Sequence, residues 1–411
     1  MISFEEARTF VLESLEPLSP VAVDLKDALN CVVAETIAAT ESVPGFANSA
    51  MDGYAVRSVD CVEDATKLKV VGVVLAGDTP CEALGPNQAV RVMTGAAIPD
   101  GADSVCKIEE ALVADGGETV TILRRPAKGE NVRLPGEDVL IGQTLVKQGA
   151  VLGSTELGLL TGQGITSVLV HPRPRVGVLS TGNELARSGV ELGRGEIRDV
   201  NRPMLLAALE NSGFDPVDLG IVPDDRASLE GAFSSAGHRC DAVISTGGVS
   251  VGDVDLVKVV ITQLCAARAR WMQVAVRPGK PFTFGVSTQG GTPLFGLPGN
   301  PVAALVGFEL YVRPGLRRLG GSEEVTRPRL AAVLDCPLPR QRDGKQHCIH
   351  VDLAVGDDGR VHVRGARPQG SHLISAIAGA NGMVMVEDGE GHDVGDVVAA
   401  ALIGPLSSVT S

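Results

Sequence analysis

The stretch DAVISTGGVSVGDVDLVKVVITQLCAA, residues 241–267, indicates the fold more clearly than any other part of the sequence. It begins with a short apolar run typical of a buried strand, passes through a glycine-rich loop and continues into an apolar pattern of helical length. Neighbouring segments repeat this order. Strands are predicted at 175–180, 216–222, 241–246 and 292–297, and helices at 203–213, 226–236, 255–267 and 300–312. Strands that alternate with helices of about 10–15 residues predict βαβ units and therefore a parallel sheet.

Three of these strands end in loops that contain glycine, namely Ser180–Glu184 (STGNE), Ser245–Asp253 (STGGVSVGD) and Gly296–Pro301 (GLPGNP). Ligands of open α/β sheets bind beyond the carboxyl ends of the strands. Because glycine lets backbone N–H groups approach phosphate oxygens, the loops predict a ligand that carries phosphate. Ordinary strand-to-helix turns are the alternative. None of the loops is a Walker A or GxGxxG sequence, so neither a standard nucleoside triphosphatase nor a dinucleotide site is indicated.

Carboxylates lie beside these loops. Glu184 ends the first loop, Asp224 and Asp225 follow the next strand, and Asp253 and Asp255 follow the longest loop. Clustered carboxylates repel one another unless a cation compensates, and oxygen ligands beside phosphate suit Mg²⁺. Alternatively, Asp225 and Asp255 cap the helices that follow them. Capping does not account for Glu184.

Positive charge follows in the turn Arg277–Pro281, RPGKP, where two cations flank a Pro-Gly pair directly after a strand. Such cations suit an oxyanion, and a solvated basic turn is the alternative. Elsewhere, Asp52, Thr94 and the loop Gly136–Asp138 lie in segments of small residues. On composition alone these three places predict only ordinary turns.

The segments on either side of this region predict mainly β structure. Residues 54–130 contain short runs between Gly, Pro and Asp turns, and the tail beyond residue 325 contains short strands that suggest a small barrel or sandwich. An amphipathic helix is predicted at 3–16 and a second helix near 154–162. Residues 30–43 are predicted to be a short helical or extended stretch.

The composition excludes several classes of function. A net charge of −14 argues against a nucleic-acid surface, and it indicates either solubility alone or a pocket of carboxylates. None of the eight cysteines forms a CxxC pair, so the sequence carries no zinc or redox motif. The N-terminus lacks a signal-peptide pattern, and no apolar run reaches the roughly 18–20 residues of a membrane span. We therefore expect a cytoplasmic protein without a nucleic-acid or membrane partner.

Taken together, the motifs closely resemble those of the molybdopterin molybdenumtransferase family, the bacterial relatives of the gephyrin E domain. They occur in the family's order and extend nearly from end to end. The matches are NSAMDGYAV (48–56), MTGAAIPDGAD (93–103), GED (136–138), STGNEL (180–185), IRDVNR (197–202), PDD (223–225), STGGVSVGDVD (245–255), RPGKP (277–281) and GLPGNPV (296–302). So many motifs in one order make the resemblance far more specific than a single short pattern.

The resemblance implies a multidomain α/β plus β fold and a homodimer. Its active-site cleft combines the α/β domain with residues from the inserted domain of the partner subunit, which would bring Asp52 and Thr94 to Glu184. Four domains are implied: an elongated helix-and-strand domain at 1–45 with 135–169, an inserted β domain at 46–134, a parallel-sheet α/β domain that binds the pterin at 170–319, and a small C-terminal β-barrel at 320–411.

The resemblance also implies the reaction. Molybdate is inserted into adenylylated molybdopterin with Mg²⁺-dependent hydrolysis of the adenylate, which releases AMP and the molybdenum cofactor.

The implied catalytic acids are Asp52, Glu184, Asp224 and Asp255, of which the last three are the expected Mg²⁺ ligands. The expected substrate-binding residues are Thr94, Asp138, Ser180, Thr181, Gly182, Gly247, Gly248, Ser250, Gly299, Asn300 and Pro301. The candidates around molybdate are Arg277, Lys280, Pro281 and Ser371. Further expected partners are molybdopterin adenylyltransferase and maturation factors of molybdoenzymes.

The sequence departs from the family pattern at the rim of the implied site. Leu134 and Pro135 stand where a basic residue is usual, Val200 where Ser or Thr is common, and His350 where the barrel often has Arg. We expect His350 to make oxyanion binding dependent on pH.

Two other functions stay open on the sequence. One is adenylylation of molybdopterin, because those enzymes share the α/β fold and a TGG loop, although they are usually a single small domain. The other is a gephyrin-like scaffold without catalysis. The intact acids and the absence of a long linker argue against a scaffold alone.

Overall fold

The computed structural model describes residues 1–79, 82–248, 255–340, 342–368 and 370–406. The chain forms two compact units. The larger unit comprises Met1–Glu35, Gly149–Gly153 and Ser167–Ser411, and the smaller unit comprises Thr36–Gln148 and Ser154–Thr166. The four domain boundaries predicted from the sequence stay predictions.

A six-stranded sheet forms the centre of the larger unit. Its strands lie in the order Asp215–Val222, Arg175–Thr181, Ala242–Thr246, Pro293–Leu297, Pro281–Val286 and Ala269–Gln273. The first four are parallel, as the sequence predicts. The last two are antiparallel, so the sheet is mixed at one side. The reason is the short connection after Val286, since parallel strands need a crossover of a dozen or more residues.

Helices cover both faces of this sheet. Val176 and Val178 point into one apolar core, which also contains Leu205 of the helix Asn201–Asn211. Leu179 points into the other core. The alternation follows from the two-residue side-chain period of a strand, and it explains why the run RVGVLS is apolar on both faces. The remaining helices of this region are Arg226–Ala236, Leu256–Cys265, Pro301–Gly307 and Arg313–Leu319, with a π-helical segment at Phe308–Val312.

The predicted N-terminal helix is present at Phe4–Glu13, where Ser3 accepts a capping hydrogen bond from the backbone N–H of Glu6 at 3.0 Å. Its apolar face, which includes Val11, packs into the first of the two cores. The helix therefore covers the central sheet of the larger unit.

The smaller unit contains its own six-stranded sheet, in the order Ser104–Lys107, Gly53–Val56, Gln88–Val92, Thr66–Val74, Thr119–Ile122 and Ala111–Ala114. This confirms the prediction of β structure between residues 54 and 130. The helix predicted near 154–162 is also present, at Ser154–Gly162. Within 30–43 the chain is extended, with short strands at Val32–Val33 and Ile37–Ala38.

A closed five-stranded barrel follows near the C-terminus, as predicted. The strand Gln346–Val355 pairs on one side with Val361–Ala366 and on the other with Gly382–Val386, and the second pairing closes the barrel. The other two strands are Arg329–Leu334 and Val397–Leu402. The short strand Val276–Arg277 lies parallel to the start of Gln346–Val355 and so joins the barrel to the α/β region.

Shorter elements complete the fold. They are the strands Val21–Asp24, Asn48–Ser49, Val132–Arg133, Thr144–Val146, Ser167–His171, Leu185–Ala186, Ile197–Arg198, Leu338–Pro339 and Gly391–His392, the 3-10 turns Leu25–Asp27, Ile108–Glu110, Asp115–Gly117 and Ala266–Arg268, and the helical turn Ile374–Ile377. Among the described residues, no helix has the length and apolar character needed to span a membrane.

His350 is buried in the barrel, where its side chain is only 2% exposed. Its Nε2 atom has no hydrogen-bond partner among the described residues. Burial disfavours the charged imidazolium and lowers the pKa of His350 to about 4, although the charge of Glu309 opposes this effect. The imidazole is therefore neutral near pH 7 and fills the core as an apolar group would.

This burial predicts a loss of stability in acid. The pKa of His350 is about 4 in the folded protein and near 6.5 in the unfolded chain, so its neutral form supports folding above pH 6.5 and that support is lost as the pH falls towards 4. Between pH 7.5 and 5.0 the wild type should lose about 2 kcal/mol relative to His350→Leu, measured by urea denaturation. An equal response of the two proteins to pH would contradict the burial of an uncharged imidazole.

Candidate active site

A cavity of about 710 Å³ opens at the carboxyl ends of the parallel strands in the larger unit. Cavities of this size hold cofactor-sized ligands. The lining residues are Thr181, Gly182, Glu184, Ile197, Asp224, Gly247, Gly248, Val276, Arg277, Pro278, Gly279, Lys280, Pro281, Pro298, Gly299, Asn300, Ala303, Lys345, His347, Gly370 and Ser371. The structure thus brings all three glycine-containing loops, two of the predicted acids and the basic turn to one cavity.

The loops can approach one another closely because they carry glycine. Gly247 has a φ of +92°, and a Cβ atom there would collide with the carbonyl oxygen of Thr181. At Gly248, with a φ of +61°, a Cβ atom would come within 2.7 Å of Val257. A Cβ atom at Gly299 would lie 3.6 Å from the Cα of Gly247. Gly247 and Gly248 are therefore required for this wall of the cavity to form, whereas the 3.6 Å at Gly299 is an ordinary contact; all three leave backbone rather than side chains facing the cavity.

Two carboxylates lie on the cavity wall. The hydroxyl of Thr181 donates a hydrogen bond to Asp224 at 3.3 Å, and the backbone N–H of Asp224 donates to the side-chain oxygen of Asn183 at 3.4 Å. Glu184 is exposed, and its carboxylate folds back over Gly182, so that a Cβ atom at Gly182 would meet it at 2.5 Å. Both acids thus stand beside the first glycine loop and line the cavity.

Asp255 lies behind this wall and caps the helix Leu256–Cys265, where it accepts from the backbone N–H of Lys258 at 3.3 Å. Its second oxygen is buried and has no partner among the described residues. Burial, aided by the nearby charge of Asp224, raises the pKa of Asp255 to about 6 against the hydrogen bond and charge of Lys258, which lower it. The capping alternative is therefore correct for one oxygen of Asp255, and the other oxygen is available to a cation or a proton. Asp225 also caps its helix, with a 2.9 Å bond from the N–H of Ser228.

No group of three or more His, Cys, Asp or Glu side chains that could hold a metal ion occurs within the described ranges. Asp253 and Ser250, which the sequence also places at this loop, lie outside those ranges. A cation at this wall would therefore need oxygen atoms from its ligand in addition to the carboxylates described above.

Another part of the cavity lining, here called the cationic wall, carries positive charge. Arg277 and Lys280 come from the RPGKP turn, and Lys280 makes no ion pair with any residue that the structure describes. Ser371 also lines the cavity and is fixed at the third glycine loop, since its hydroxyl accepts from the side-chain amide of Asn300 at 3.1 Å and its carbonyl accepts from the N–H of Val302 at 3.1 Å. This wall offers positive charge and a hydroxyl group, which suits an oxyanion.

Sequence reasoning missed two further residues of this wall, Lys345 and His347. Lys345 directly precedes the barrel strand Gln346–Val355 and His347 lies in it, and they reach the cavity because the strand Val276–Arg277 pairs with residues 346 and 347. The only local signal was the charged run RDGK at 342–345, which resembles a solvated turn. His350, in contrast, is not among the lining residues, so its expected effect on oxyanion binding has no structural basis.

Two other predicted residues lie near the cavity but do not line it. Ser180 is fully buried, donates to Asp199 at 2.9 Å and contacts the hydroxyl of Thr246 at 3.1 Å. Its hydroxyl therefore ties strand ends together instead of facing a ligand. Pro301 occupies the first turn of the helix Pro301–Gly307, a position that proline favours.

In the smaller unit, Asp52 and Thr94 form one compact pair. Asp52 accepts hydrogen bonds from both the N–H and the hydroxyl of Thr94, at 2.7 and 2.8 Å. These bonds lower the pKa of Asp52, the backbone bond having the larger effect. The carboxylate is exposed, so it is an ionised group held in a fixed orientation and open to a partner or ligand.

The remaining positions that the sequence singled out lie on surfaces. Asp138 is exposed, and its backbone N–H donates to Val43 at 3.0 Å. Leu134 and Pro135 are exposed, and the N–H of Leu134 donates to Glu137 at 2.9 Å. Val200 precedes the helix Asn201–Asn211 and supplies no side-chain cap, which Ser or Thr would do.

Models of three protein families match successive regions of the chain. Residues 2–164 match the MoeA N-terminal region (domain I and II). Residues 177–318 match a probable molybdopterin binding domain, and residues 332–403 match the MoeA C-terminal region (domain IV). The cavity described above lies in the region of the second match, with contributions from the third.

Individual relatives agree with this placement. The molybdopterin molybdenumtransferase of Haemophilus influenzae is 37% identical over 393 residues, which cover 95% of this chain and 96% of the relative. Molybdopterin molybdenumtransferase 2 of Mycobacterium tuberculosis is 35% identical over 97% of this chain and 98% of its own length. A solved structure of the molybdopterin biosynthesis MoeA protein of Pyrococcus horikosii has a TM-score of 0.79 at 31% identity and covers 98% of this chain and 100% of its own. The chain therefore belongs to the molybdopterin molybdenumtransferase (MoeA) family.

Proposed function

We propose that this protein inserts molybdate into adenylylated molybdopterin, and that hydrolysis of the adenylate accompanies the insertion and releases AMP. As a member of its family, the protein is a molybdopterin molybdenumtransferase of molybdenum cofactor biosynthesis. The observation that supports this proposal is a single cavity lined by glycine loops and acids together with the cationic side chains of Arg277, Lys280 and Lys345.

The glycine wall supports the binding of a phosphate-bearing pterin. Gly247, Gly248 and Gly299 keep side chains away from the cavity, so backbone groups can contact phosphate oxygens. The helix Pro301–Gly307 begins at the third loop and presents its N-terminus at the same edge of the sheet. Both features favour a negatively charged ligand group on this wall.

The cationic wall supports the binding of molybdate. Molybdate and the phosphates of the pterin are all anions, so they repel one another when they occupy the same cavity. Arg277, Lys280 and Lys345 supply positive charge where that repulsion would otherwise be greatest, and Ser371 supplies a hydrogen-bonding group. The wall therefore compensates the cost of bringing two anions together.

The acids fit a divalent cation. Glu184 and Asp224, with the unpartnered oxygen of Asp255 behind them, would hold Mg²⁺ together with phosphate oxygens of the substrate. Mg²⁺ commonly binds proteins through one or two carboxylates and substrate phosphates, which agrees with the lack of an all-protein ligand group among the described residues. When bound, Mg²⁺ would neutralise phosphate charge during cleavage of the phosphoanhydride, in which water adds and AMP leaves.

A homodimer and a cytoplasmic location are also part of the proposal, as are contacts with molybdopterin adenylyltransferase and with maturation factors of molybdoenzymes. In the homodimer, Asp52 and Thr94 of the partner subunit would complete each cleft. The orientation that Thr94 imposes on the exposed Asp52 carboxylate supports a role for this pair in the reaction.

The reaction is tested with preformed adenylylated molybdopterin. We expect AMP to appear only when molybdate and Mg²⁺ are both present, and molybdenum to appear on the pterin in equal amount. Consumption of ATP with formation of the adenylate would instead identify an adenylyltransferase. Absence of both reactions, together with capture of a protein partner, would favour a scaffold.

The glycine wall predicts the effect of one added methyl group. Gly247→Ala should lower kcat/KM for AMP release by more than about tenfold, because its Cβ would push Thr181 and the loop out of place. Gly220→Ala is the matched control, since Gly220 has a similar φ of +81° but open space around its Cβ position. Equal activities of the two variants would show that the close approach at Gly247 is not needed.

A cleft shared between subunits predicts complementation. Asp52→Asn and Glu184→Gln should each reduce turnover by at least about 100-fold as pure proteins. When the two variants are co-expressed, half of the dimers are mixed and each mixed dimer has one intact cleft, so about one quarter of wild-type turnover should return. No recovery in isolated mixed dimers would mean that Asp52 and Glu184 do not act in one cleft built from two subunits.

A further inference from the structure

We propose that Asp343 is a positioning residue that holds the cations of the cavity wall in place for the oxyanion. The inference deepens the proposed function, because it concerns the molybdate end of the same cavity. Asp343 does not line the cavity itself, and neither the motifs nor the spacing of the sequence singled it out.

Asp343 contacts three residues that do line the cavity. Its carboxylate lies 3.5 Å from the guanidinium of Arg277, 3.3 Å from the Nζ of Lys345 and 3.2 Å from the Nε2 of His347. Arg277 comes from the α/β region, whereas Lys345 and His347 come from the barrel. One carboxylate therefore links the cationic groups of two parts of the fold.

The carboxylate is itself fixed from behind. Arg340, whose side chain is fully buried, lies 3.3 Å from Asp343 and 2.6 Å from Asp388, and it donates to the carbonyl of Val386 at 3.0 Å. The backbone N–H of Asp343 also donates to Asp388 at 3.2 Å. Asp343 thus has a rigid support in the barrel, which a carboxylate on a free surface loop would lack.

The carboxylate of Asp343 is ionised near neutral pH. Partial burial opposes ionisation, but hydrogen bonds from His347 and Lys345 outweigh it and lower the pKa of Asp343 to about 2. The carboxylate is therefore a permanent negative charge behind the cationic wall.

A positioning role follows from the electrostatics. Without an anion, Arg277 and Lys345 would repel each other, and the Arg277 side chain, which is 67% exposed, would be free to turn into solvent. Asp343 balances that repulsion and keeps the donors oriented before the oxyanion arrives. Preorganisation of this kind reduces the cost of binding. Lys280 has no such anchor among the described residues, so it remains free to follow the ligand.

The test compares molybdate binding to the full-length wild type, Asp343→Asn and Asp335→Asn. Asp335 is the matched control, because it pairs with His362 and Arg364 in the same barrel but not with any residue of the cavity wall. Equilibrium dialysis with molybdate alone should show about tenfold weaker binding for Asp343→Asn, the equivalent of one hydrogen bond to a charged group, and no change for Asp335→Asn. Unchanged or tighter binding by Asp343→Asn would overturn the proposal, since tighter binding would make Asp343 a competitor of the oxyanion.

Asp343→Glu keeps the negative charge that the buried Arg340 needs and so guards against simple misfolding. Because positioning depends on where the carboxylate stands, this variant should also bind molybdate more weakly, by about threefold. Wild-type affinity in Asp343→Glu would show that charge alone suffices and would overturn the positioning role.

Kinetics separate this proposal from the proposed function. In AMP release, Asp343→Asn should raise KM for molybdate while kcat at saturating molybdate stays within about twofold of wild type. An equal fall in kcat at saturation would overturn a role confined to binding. A wild type that binds molybdate but releases no AMP would reject the proposed reaction and leave the dialysis result to decide the role of Asp343.

Discussion

The parallel pairing of Val276–Arg277 with the first residues of the barrel strand Gln346–Val355 is the interaction on which the cavity depends. It is only two residues long, yet it brings the RPGKP turn and the barrel to the same edge of the central sheet. Without it, the glycine loops would face solvent and Lys345 and His347 would belong to a separate barrel. The cationic wall exists because two regions of the larger unit meet at this strand.

The second constraint is the close approach of backbone to backbone at the strand ends. Gly247 against Thr181, and Gly299 near Gly247, form a surface with little room for side chains. A surface of this kind exposes peptide groups, whereas the cationic wall exposes the ends of long side chains. The two walls therefore differ in what holds them in place. The glycine wall is made of closely packed backbone, and the cationic wall is held by ion pairs such as those of Asp343.

Much of this arrangement was predictable from the sequence because its signals are local. The strand-loop-helix order around Thr181 and Gly247 predicts a parallel sheet, which the structure has, and a ligand at the carboxyl ends of its strands, where the structure has a cavity. For Asp255 the sequence left two alternatives open, capping of the following helix and binding of a cation. One oxygen caps the helix and the other is buried without a partner among the described residues, so capping alone does not account for this carboxylate. What could not be predicted depends on residues far apart in the chain. Lys345 and His347 are brought to the cavity by a short strand pairing that has no periodicity to detect.

Asp52 is a second residue whose surroundings could not be predicted from the neighbouring sequence alone. Its composition predicts only a turn, and the pairing with Thr94, which lies 42 residues away, becomes visible only in the folded unit. The resemblance to a family singled out this residue before any geometry was known. A strand was expected directly before the RPGKP turn, but the strand Pro281–Val286 after it, and the antiparallel pairing of that strand with Ala269–Gln273, were missed because the proline and glycine of the turn obscure the pattern.

The central claim is that one cavity holds molybdate on its cationic wall and the phosphates of the pterin on its glycine wall. A crystal of the protein soaked with adenylylated molybdopterin and molybdate, measured at the molybdenum absorption edge, tests it most directly. We predict an anomalous peak beside Arg277, Lys280 and Ser371, with phosphate density against Gly247 and Gly299. Molybdenum bound away from this cavity, or phosphates seated on the cationic wall with none at the glycine loops, would contradict the account.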